Sequence, residues 1–431
     1  MKYPVYWFLI SSGLIASTSL SFAQGESQTL TPADSYNGNG TFTPKTSSNS
    51  TSTTYTCEGN VCIANAGNPT PLTGSCFSQT AGNLIFIGNG HSLCFDSINA
   101  GSNNPGAINV SGNDKTLSVT GFSSFSCASC PPGTTGMGAI KAVGNTTIKD
   151  NTSLIFNRNC SSTNGGAISC TSTSNNADLK FEGNQHLVFF GNLSKSSGGA
   201  IYTDKLTITS GGLTLFSNNT VSKASDPKGG AICLNNTSSE CSLTADLGNI
   251  IFDGNKIITT GGNAKTVRNS IDLGTGGKFT QLRAKDGFGI FFYDPIANNG
   301  DTNTEIEINK AEGTTTYSGQ IVFSGEKLTV EEKTEAENLQ SYFKQPLKID
   351  AGSLVLKDSV TVTAKKITQT QGSSVVMDLG TTLQTPSADG DVITLTDLAI
   401  NVTSLGGGGV PRLLKLQQQQ LIKTYQSLLL I

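Results

Sequence analysis

The sequence is poor in charge, in histidine and in long apolar runs. Charged residues make up 14% of its 431 residues, against about a quarter in an average globular domain. The net charge is −3, and the chain has no basic cluster that could follow a phosphate backbone. Nucleic acid is therefore not expected as a partner. After the first 23 residues no stretch is apolar over the roughly 20 residues that a membrane helix needs.

The scarcity of histidine also argues against an enzyme. Nucleophilic catalysis needs a serine or cysteine beside a base, but neither His91 nor His186 has a catalytic motif next to it. Both are predicted to be surface or turn residues. The sequence GTGGK at residues 274–278 is followed by Phe279, where a phosphate loop needs Ser or Thr. We therefore expect a turn there, and no catalytic, cofactor or metal site.

The first 23 residues have the pattern of an export signal. Lys2 is followed by the apolar run VYWFLISSGLIAS and then by Ser-Phe-Ala, which predicts cleavage between Ala23 and Gln24. The run is shorter than a membrane span, so export is expected. Residues 24–56 are dominated by Ser, Thr, Asn and Gly and predict a flexible N-terminus of the mature chain.

The ten cysteines are confined to the part of the chain between residues 57 and 241. In an exported chain they are expected to be oxidised rather than metal-bound, because only one CxxC pair is present. We therefore predict a disulfide framework, with its connectivity open and pairing between chains as an alternative. The candidates are Cys57, Cys62, Cys76, Cys94, Cys127, Cys130, Cys160, Cys170, Cys233 and Cys241.

The sequence contains 49 glycines, and some of them belong to one of two repeated tetrapeptides. The Phe-x-x-Asn pairs are Phe86 and Asn89, Phe156 and Asn159, Phe181 and Asn184, Phe189 and Asn192, Phe216 and Asn219, and Phe252 and Asn255. The complete Gly-Gly-Ala-Ile motifs are Gly165, Gly166, Ala167, Ile168; Gly198, Gly199, Ala200, Ile201; and Gly229, Gly230, Ala231, Ile232. With the variants PGAI and MGAI, the glycine before Ala recurs in steps of 32, 28, 33 and 31 residues. Such a period predicts a repeat architecture in which each unit covers its neighbour.

Between the motifs, apolar residues alternate with small polar ones, as in LSVTGF from Leu117 and LTITSGGLTLF from Leu206. We predict an all-β fold, a right-handed parallel β-helix. In it the Phe residues fill each coil and the Asn residues form ladders at the turns. Gly-Gly-Ala allows the chain to turn where neighbouring backbones approach closely, and the following Ile points into the core.

Together these motifs resemble those of the chlamydial polymorphic outer membrane proteins. RNSIDLGTGGKFTQLRAKDGFGIFFYDPI, residues 268–296, is similar to the segment that leads into that family's middle domain, and residues 393–409 to a further family segment. The resemblance implies an autotransporter passenger at the outer membrane or cell surface, adhesion to a host-cell receptor, and antigenic variation. It divides the chain into a repeat passenger at 57–262 and a middle domain at 263–406. The charged residues 325–343 predict a helix or loop that protrudes.

The sequence departs from that family at its end. A C-terminal barrel needs many strands of about ten alternating residues, whereas VPRLLKLQQQQLIKTYQSLLLI follows the glycines at 406–409. We expect a frameshifted tail and a lost barrel; a short docking helix is the alternative. Three functions stay open: a surface adhesin and antigen, a truncated product in the periplasm or secreted, and an envelope component linked to other envelope proteins through disulfides.

Overall fold

The alternating strands wind into a parallel β-helix. The computed structural model describes residues 25–37, 43–65, 74–100, 104–128, 136–234, 236–262, 264–300, 304–386 and 392–401. Three long sheets, here named A, B and C, contain 13, 12 and 12 strands, and a short sheet D contains five. The predicted all-β parallel β-helix is confirmed, while its right-handed sense stays a prediction. Within the described ranges no helix has the length and apolar character to cross a membrane.

Each of the long sheets takes one strand from almost every coil. The strands of sheet A are Glu26–Leu30, Ser52–Cys57, Asn83–Ile87, Leu117–Thr120, Thr146–Lys149, Asp178–Glu182, Lys205–Thr209, Glu240–Ala245, Lys278–Ala284, Ile306–Ile308, Leu347–Ile349, Ile367–Gln369 and Ile393–Thr394. Those of sheet B are Val61–Ala64, Ser92–Asp96, Ser124–Ala128, Ser153–Asn157, His186–Phe190, Leu213–Ser217, Ile250–Asp253, Gly289–Phe292, Gln320–Ser324, Ser353–Lys357, Ser374–Asp378 and Leu398–Asn401.

Sheets C and D complete the coils. The strands of sheet C are Lys45–Ser47, Phe77–Gln79, Ile108–Val110, Ile140–Ala142, Ile168–Cys170, Ile201–Thr203, Ile232–Leu234, Ile271–Leu273, Ile296–Asn298, Gln340–Phe343, Thr361–Ala364 and Thr382–Gln384. Those of sheet D are Cys160–Ser161, Leu193–Ser194, Thr220–Lys223, Lys256–Thr259 and Lys265–Arg268. Three short 3₁₀ helices span Pro32–Asp34, Glu332–Thr334 and Ala336–Leu339.

A coil runs through sheet A, sheet B, sheet D where it is present, and sheet C. Strands of successive coils pair in parallel with equivalent residues opposite each other: Phe156 pairs with Phe189, and Ile168 with Ile201. Side chains alternate between the two faces of a strand, so this register stacks inward residues on inward residues. The core is therefore a set of columns along the solenoid.

The N-terminal segment differs from the prediction. Residues 24–56 were expected to be flexible, but Glu26–Leu30 and Ser52–Cys57 pair in sheet A, and Lys45–Ser47 belongs to sheet C. The composition of this segment is typical of linkers, yet in STTYTC every second residue faces inward, including the buried Tyr55 and Cys57. Alternation, rather than composition, decides the structure here.

All three long sheets continue across residue 262. Ile232–Leu234, Glu240–Ala245 and Ile250–Asp253 pair with strands from the next coil, so the domain boundaries stay a prediction. What ends there is sheet D, whose last strand, Lys265–Arg268, is antiparallel to Lys256–Thr259. The predicted cleavage site at residues 23 and 24, the glycines at 406–409 and the tail at 410–431 lie outside the described residues.

The charged segment at residues 325–343 leaves the coil after a sheet-B strand and is largely exposed. It contains two 3₁₀ helices and ends in the sheet-C strand Gln340–Phe343. Glu332 forms ion pairs with Lys256 at 3.1 Å and with Arg268 at 2.8 Å, both on sheet D. The predicted excursion is confirmed, and these opposite charges hold it to the last strands of sheet D.

Candidate functional site in the repeat coils

Four of the six Phe-x-x-Asn motifs end a sheet-B strand, and their rings form one column. Ring centroids are 4.8 Å apart for Phe156 and Phe189 and for Phe189 and Phe216, with planes within 7° of parallel. Phe252 continues the column at 4.9 Å. All four side chains are fully buried. These centroid distances lie in the range of favourable aromatic pairs, and the strand register repeats the same stacking from coil to coil.

The asparagines of the same four motifs form a buried ladder. The Oδ1 atom of Asn192 accepts hydrogen bonds from the backbone N and the Nδ2 of Asn159, at 2.9 and 3.0 Å. Its Nδ2 donates to the carbonyl of Phe156 at 3.0 Å. Asn219 and Asn255 repeat these contacts in the next coils. Each amide thus satisfies buried backbone groups that water cannot reach.

The other two Phe-x-x-Asn motifs lie in sheet A, before the turn into sheet B. Phe181 is buried there, and Asn184 accepts hydrogen bonds from the backbone N and Nδ2 of Asn151 at 3.2 and 2.8 Å. Phe86 is also buried, but Asn89 is exposed and has a left-handed φ of 49°. One tetrapeptide therefore serves two different turns, and Asn89 is not a rung of a buried ladder.

The Gly-Gly-Ala-Ile motifs lead into the sheet-C strands. Gly165 has a φ of +68°, and the first glycines of the other two complete motifs share this conformation. A β carbon on Gly166 would overlap the carbonyl oxygen of Gly199 in the next coil. The amides of Ala167 and Ile168 both donate to the carbonyl of Ala200, at 2.9 and 3.0 Å. The predicted tight turn and the inward Ile are confirmed in all three motifs.

The inward positions are thus occupied by the motifs, and the chain offers other residues to solvent. Across three neighbouring strands of sheet B, the outward side chains Ile155, Val188 and Leu215 lie in register. Phe190 and Leu213 flank them and are 37% and 38% exposed. We call these five residues the sheet-B face. The face cannot be recognised from the sequence alone, because its residues lie between and around the repeated motifs rather than in a motif of their own.

The family model of the Chlamydia polymorphic membrane protein (Chlamydia_PMP) repeat matches residues 145–171, 186–204 and 213–239. Each matched range contains residues of sheets B, D and C from one coil. The chain is 34% identical over 362 residues to the probable outer membrane protein pmp12 of Chlamydia pneumoniae, covering 82% of this chain and 69% of that protein. The chain belongs to the chlamydial polymorphic membrane protein family.

Longer members of the polymorphic membrane protein family match as well. The chain is 38% identical to the probable outer membrane protein pmp11 and 39% identical to pmp2, both of Chlamydia pneumoniae. These matches cover 94% and 95% of this chain but 52% and 48% of the relatives, so the chain spans about half their length. No solved structure matches it. Membership of this family of outer membrane proteins places the chain at the outer membrane or cell surface.

The described cysteines of this family member are thiols in the structure, and the disulfide framework stays a prediction. They include Cys57, Cys62, Cys76, Cys94, Cys127, Cys170, Cys233 and Cys241. Most are buried inside the coils, and burial raises the pKa of the Cys170 thiol to about 12 and that of Cys57 to about 11. Cys160 is half-buried, and Cys130 lies outside the described residues. Buried, protonated thiols react slowly with oxidants.

The polymorphic membrane protein relatives are named as outer membrane proteins and not as enzymes. His91 follows a turn and is half-buried, and His186 is exposed at the start of a strand. The GTGGK segment is a turn, closed by the bond from the N of Gly277 to the carbonyl of Gly274 at 3.0 Å. Among the described residues no group of three or more His, Cys, Asp or Glu side chains could hold a metal.

Proposed function

We propose that the chain is a surface adhesin and antigen, and that it binds a host-cell receptor through the sheet-B face. The observation that carries this proposal is the contrast between two sheets of the same coils. The sheet-B strands Ser153–Asn157, His186–Phe190 and Leu213–Ser217 contain no Asp, Glu, Lys or Arg. An apolar surface with a polar rim is typical of protein interfaces.

Sheet A of these coils has the opposite character. Lys205 pairs in register with Asp178 and forms an ion pair with Glu240 at 3.3 Å, and Glu240 also pairs with Lys278 at 3.4 Å. These charges are half-exposed and matched within the protein. A charged surface that is already paired gains little from a partner, so sheet A presents a solvated side and sheet B the candidate binding side.

The motif residues themselves support the proposal by their burial. The phenylalanines, asparagines and Gly-Gly-Ala-Ile residues of the three complete repeats point inward or lie between coils. They act as the scaffold that presents the outward positions. A substitution in a motif should therefore weaken adhesion through unfolding, whereas a substitution on the sheet-B face should weaken it in a folded chain.

Adhesion of the purified full chain to cultured epithelial cells tests this proposal. We expect Phe190→Ser combined with Leu213→Ser to lower cell-bound protein at least about tenfold, as loss of apolar anchors at an interface does. The matched control is Leu247→Ser combined with Val330→Ser, two apolar residues that are 61% and 79% exposed outside the face. Unchanged adhesion of the face variant, with circular dichroism like that of the parent, would refute the assignment.

A cross-linked envelope component has weaker support. Of the described cysteines, Cys57, Cys76, Cys127, Cys170, Cys233 and Cys241 are buried, and buried sulfurs cannot reach a second chain without unfolding. Only Cys62, Cys94 and Cys160 among the described residues are half-exposed. Non-reducing gels of the native protein separate the two functions, since an adhesin needs no cysteine-dependent multimer.

A further inference from the structure

Two cysteines of neighbouring coils stand directly opposite each other on the outer face of sheet B. Cys62 lies in Val61–Ala64 and Cys94 in Ser92–Asp96, and they are register partners in the parallel pairing of these strands. Both side chains alternate with buried neighbours and so face outward, half-buried. The two thiols are close enough for Cys94 to help raise the pKa of the Cys62 thiol.

This geometry suits a covalent link. Adjacent strands of a sheet lie about 4.8 Å apart, which falls inside the range of about 4.4 to 6.8 Å that Cα atoms span across a disulfide. The position is also singular among the described strands, because every other cysteine there has a register partner of another residue type. In the next coil Ser126 pairs with Cys94, so the row contains one cysteine pair and no third thiol.

We propose that Cys62 and Cys94 form a reversible disulfide between two coils, by exchange with a small-molecule disulfide. The thiolate of Cys94 attacks one sulfur of the oxidant, which releases one small thiol and leaves a mixed disulfide on Cys94. Cys62 then loses its proton and attacks the Cys94 sulfur, which releases the second small thiol. Two protein thiols are oxidised to one disulfide, and one small disulfide is reduced to two thiols.

The order of attack follows from the contact between the two sulfurs. Burial and the nearby Cys94 raise the pKa of the Cys62 thiol to about 12, and the nearby Asp96 carboxylate acts in the same direction. Cys62 therefore keeps its proton in the reduced pair, and the thiolate is the attacking species in exchange. Cys62 is therefore assigned the second attack.

The bond should be easy to reduce. Residues directly opposite each other keep their β carbons near the strand spacing, beyond the roughly 3.8 Å of a relaxed disulfide. Strained, accessible disulfides are the labile ones. Val61–Ala64 is the first strand of sheet B, and its other side bonds to Tyr36 through an isolated parallel bridge, so the disulfide would join the first two strands of that sheet.

Peptide mapping of the full chain tests this proposal. The protein is equilibrated with oxidised and reduced glutathione at several ratios, blocked with N-ethylmaleimide and digested without reductant. Trypsin is unsuitable because no Lys or Arg lies between Lys45 and Lys115. Chymotrypsin with a Glu-specific protease separates the two cysteines, since cleavage after Phe77 and Phe86 puts Cys94 in a peptide without another cysteine.

We expect a cross-linked peptide that joins Cys62 to Cys94 and is lighter by two hydrogen atoms than the sum of the two reduced peptides. The amount of this peptide should rise with the share of oxidised glutathione. It should disappear on reduction and in Cys62→Ser and in Cys94→Ser, and persist in the matched variant Cys160→Ser. Alkylation of both cysteines at every glutathione ratio would overturn the proposal, and so would a link from either one to another cysteine or to a second chain. The unsubstituted chain decides this even if a variant fails to fold.

Discussion

Asp294 accepts two hydrogen bonds from Asn255 through one carboxylate oxygen, at 2.9 Å from the backbone N and 2.7 Å from Nδ2. It takes the place of the next asparagine in the ladder formed by Asn159, Asn192, Asn219 and Asn255. Its second oxygen accepts from the backbone N of Gly254 at 3.0 Å and from Arg268 at 2.9 Å. The amide ladder of the repeats therefore ends in a buried ion pair, and Arg268 belongs to the last strand of sheet D.

Removal of the arginine should destabilise this end of the repeat region. Arg268→Met leaves the fully buried Asp294 carboxylate without its cation and releases Glu332, and breaking a buried pair costs about 3–5 kcal/mol. Urea unfolding measures the loss. Lys310→Met, which breaks an exposed pair with Glu307, should cost less than about 1 kcal/mol. Equal midpoints for the two variants would show that the buried pair contributes nothing.

Loss of a single asparagine from the buried ladder should lower the stability of the protein by more than the size of its side chain suggests. Asn219→Ala removes the acceptor of the backbone N of Asn192 and of one of its two Nδ2 hydrogens, and the donor to the carbonyl of Phe189. Unsatisfied buried groups cost about 1–3 kcal/mol each, so we expect the unfolding temperature of the variant to be clearly lower than that of the parent. The exposed Asn176 offers the matched control, and its replacement by Ala should change the unfolding free energy by less than about 0.5 kcal/mol.

The second glycine of a motif should not tolerate alanine. A β carbon on Gly199 would overlap the carbonyl oxygen of Gly230, which belongs to the backbone and cannot rotate away. We expect Gly199→Ala to destabilise the protein by about 3 kcal/mol or to prevent its folding. Gly262→Ala, with no heavy atom near the added carbon, should fold like the parent in circular dichroism. Similar yields and unfolding temperatures for both would contradict the close approach of the coils.

Asp272 predicts a dependence of stability on pH. It lies on the outer face of sheet C, its Oδ1 atom has no hydrogen-bond partner, and burial raises its pKa from 3.8 to about 7, with Lys228 opposing. A raised carboxyl pKa means that the folded chain holds the proton more tightly than the unfolded one. Its stabilising contribution is present below pH 3.8 and is lost as the pH rises toward 7.

Asp272→Asn removes this dependence without changing the side-chain volume. At pH 8 the variant should be more stable than the parent by up to about 4 kcal/mol, since each unit of pKa shift is worth 1.36 kcal/mol. Near pH 4 the two should unfold at similar urea concentrations. A constant difference between parent and variant from pH 4 to pH 8 would show that Asp272 does not titrate in this range.

The sequence allowed the scaffold of the repeats to be predicted, but not where the scaffold changes. Phe156 and Ile168 are both inward residues of one coil, as the repeated motifs predicted. Phe292 and Phe323 extend the ring column at 5.2 and 5.1 Å, yet neither begins a Phe-x-x-Asn motif. Asp294 follows Phe292 by two residues rather than three, so a search for the motif passes over it.

The binding side could not be predicted for a related reason. Residues that fill a core recur, because every coil has the same interior to fill, and recurrence is visible in one sequence. Outward residues such as Ile155, Val188 and Leu215 share only apolar character. Their alignment becomes apparent once the register is known, because a shift of one residue would turn them inward. The pairing of Cys62 with Cys94 is hidden in the sequence for the same reason.

The stacking of equivalent residues gives the solenoid a modular length. A coil inserted between two others would meet the same ring column, the same amide ladder and the same glycine contact on both sides, so its neighbours would need no adjustment. Each such addition lengthens the protein by about 4.8 Å and brings a fresh set of outward side chains. Related proteins can therefore differ in the number of coils and in their surface chemistry while they keep the same interior packing.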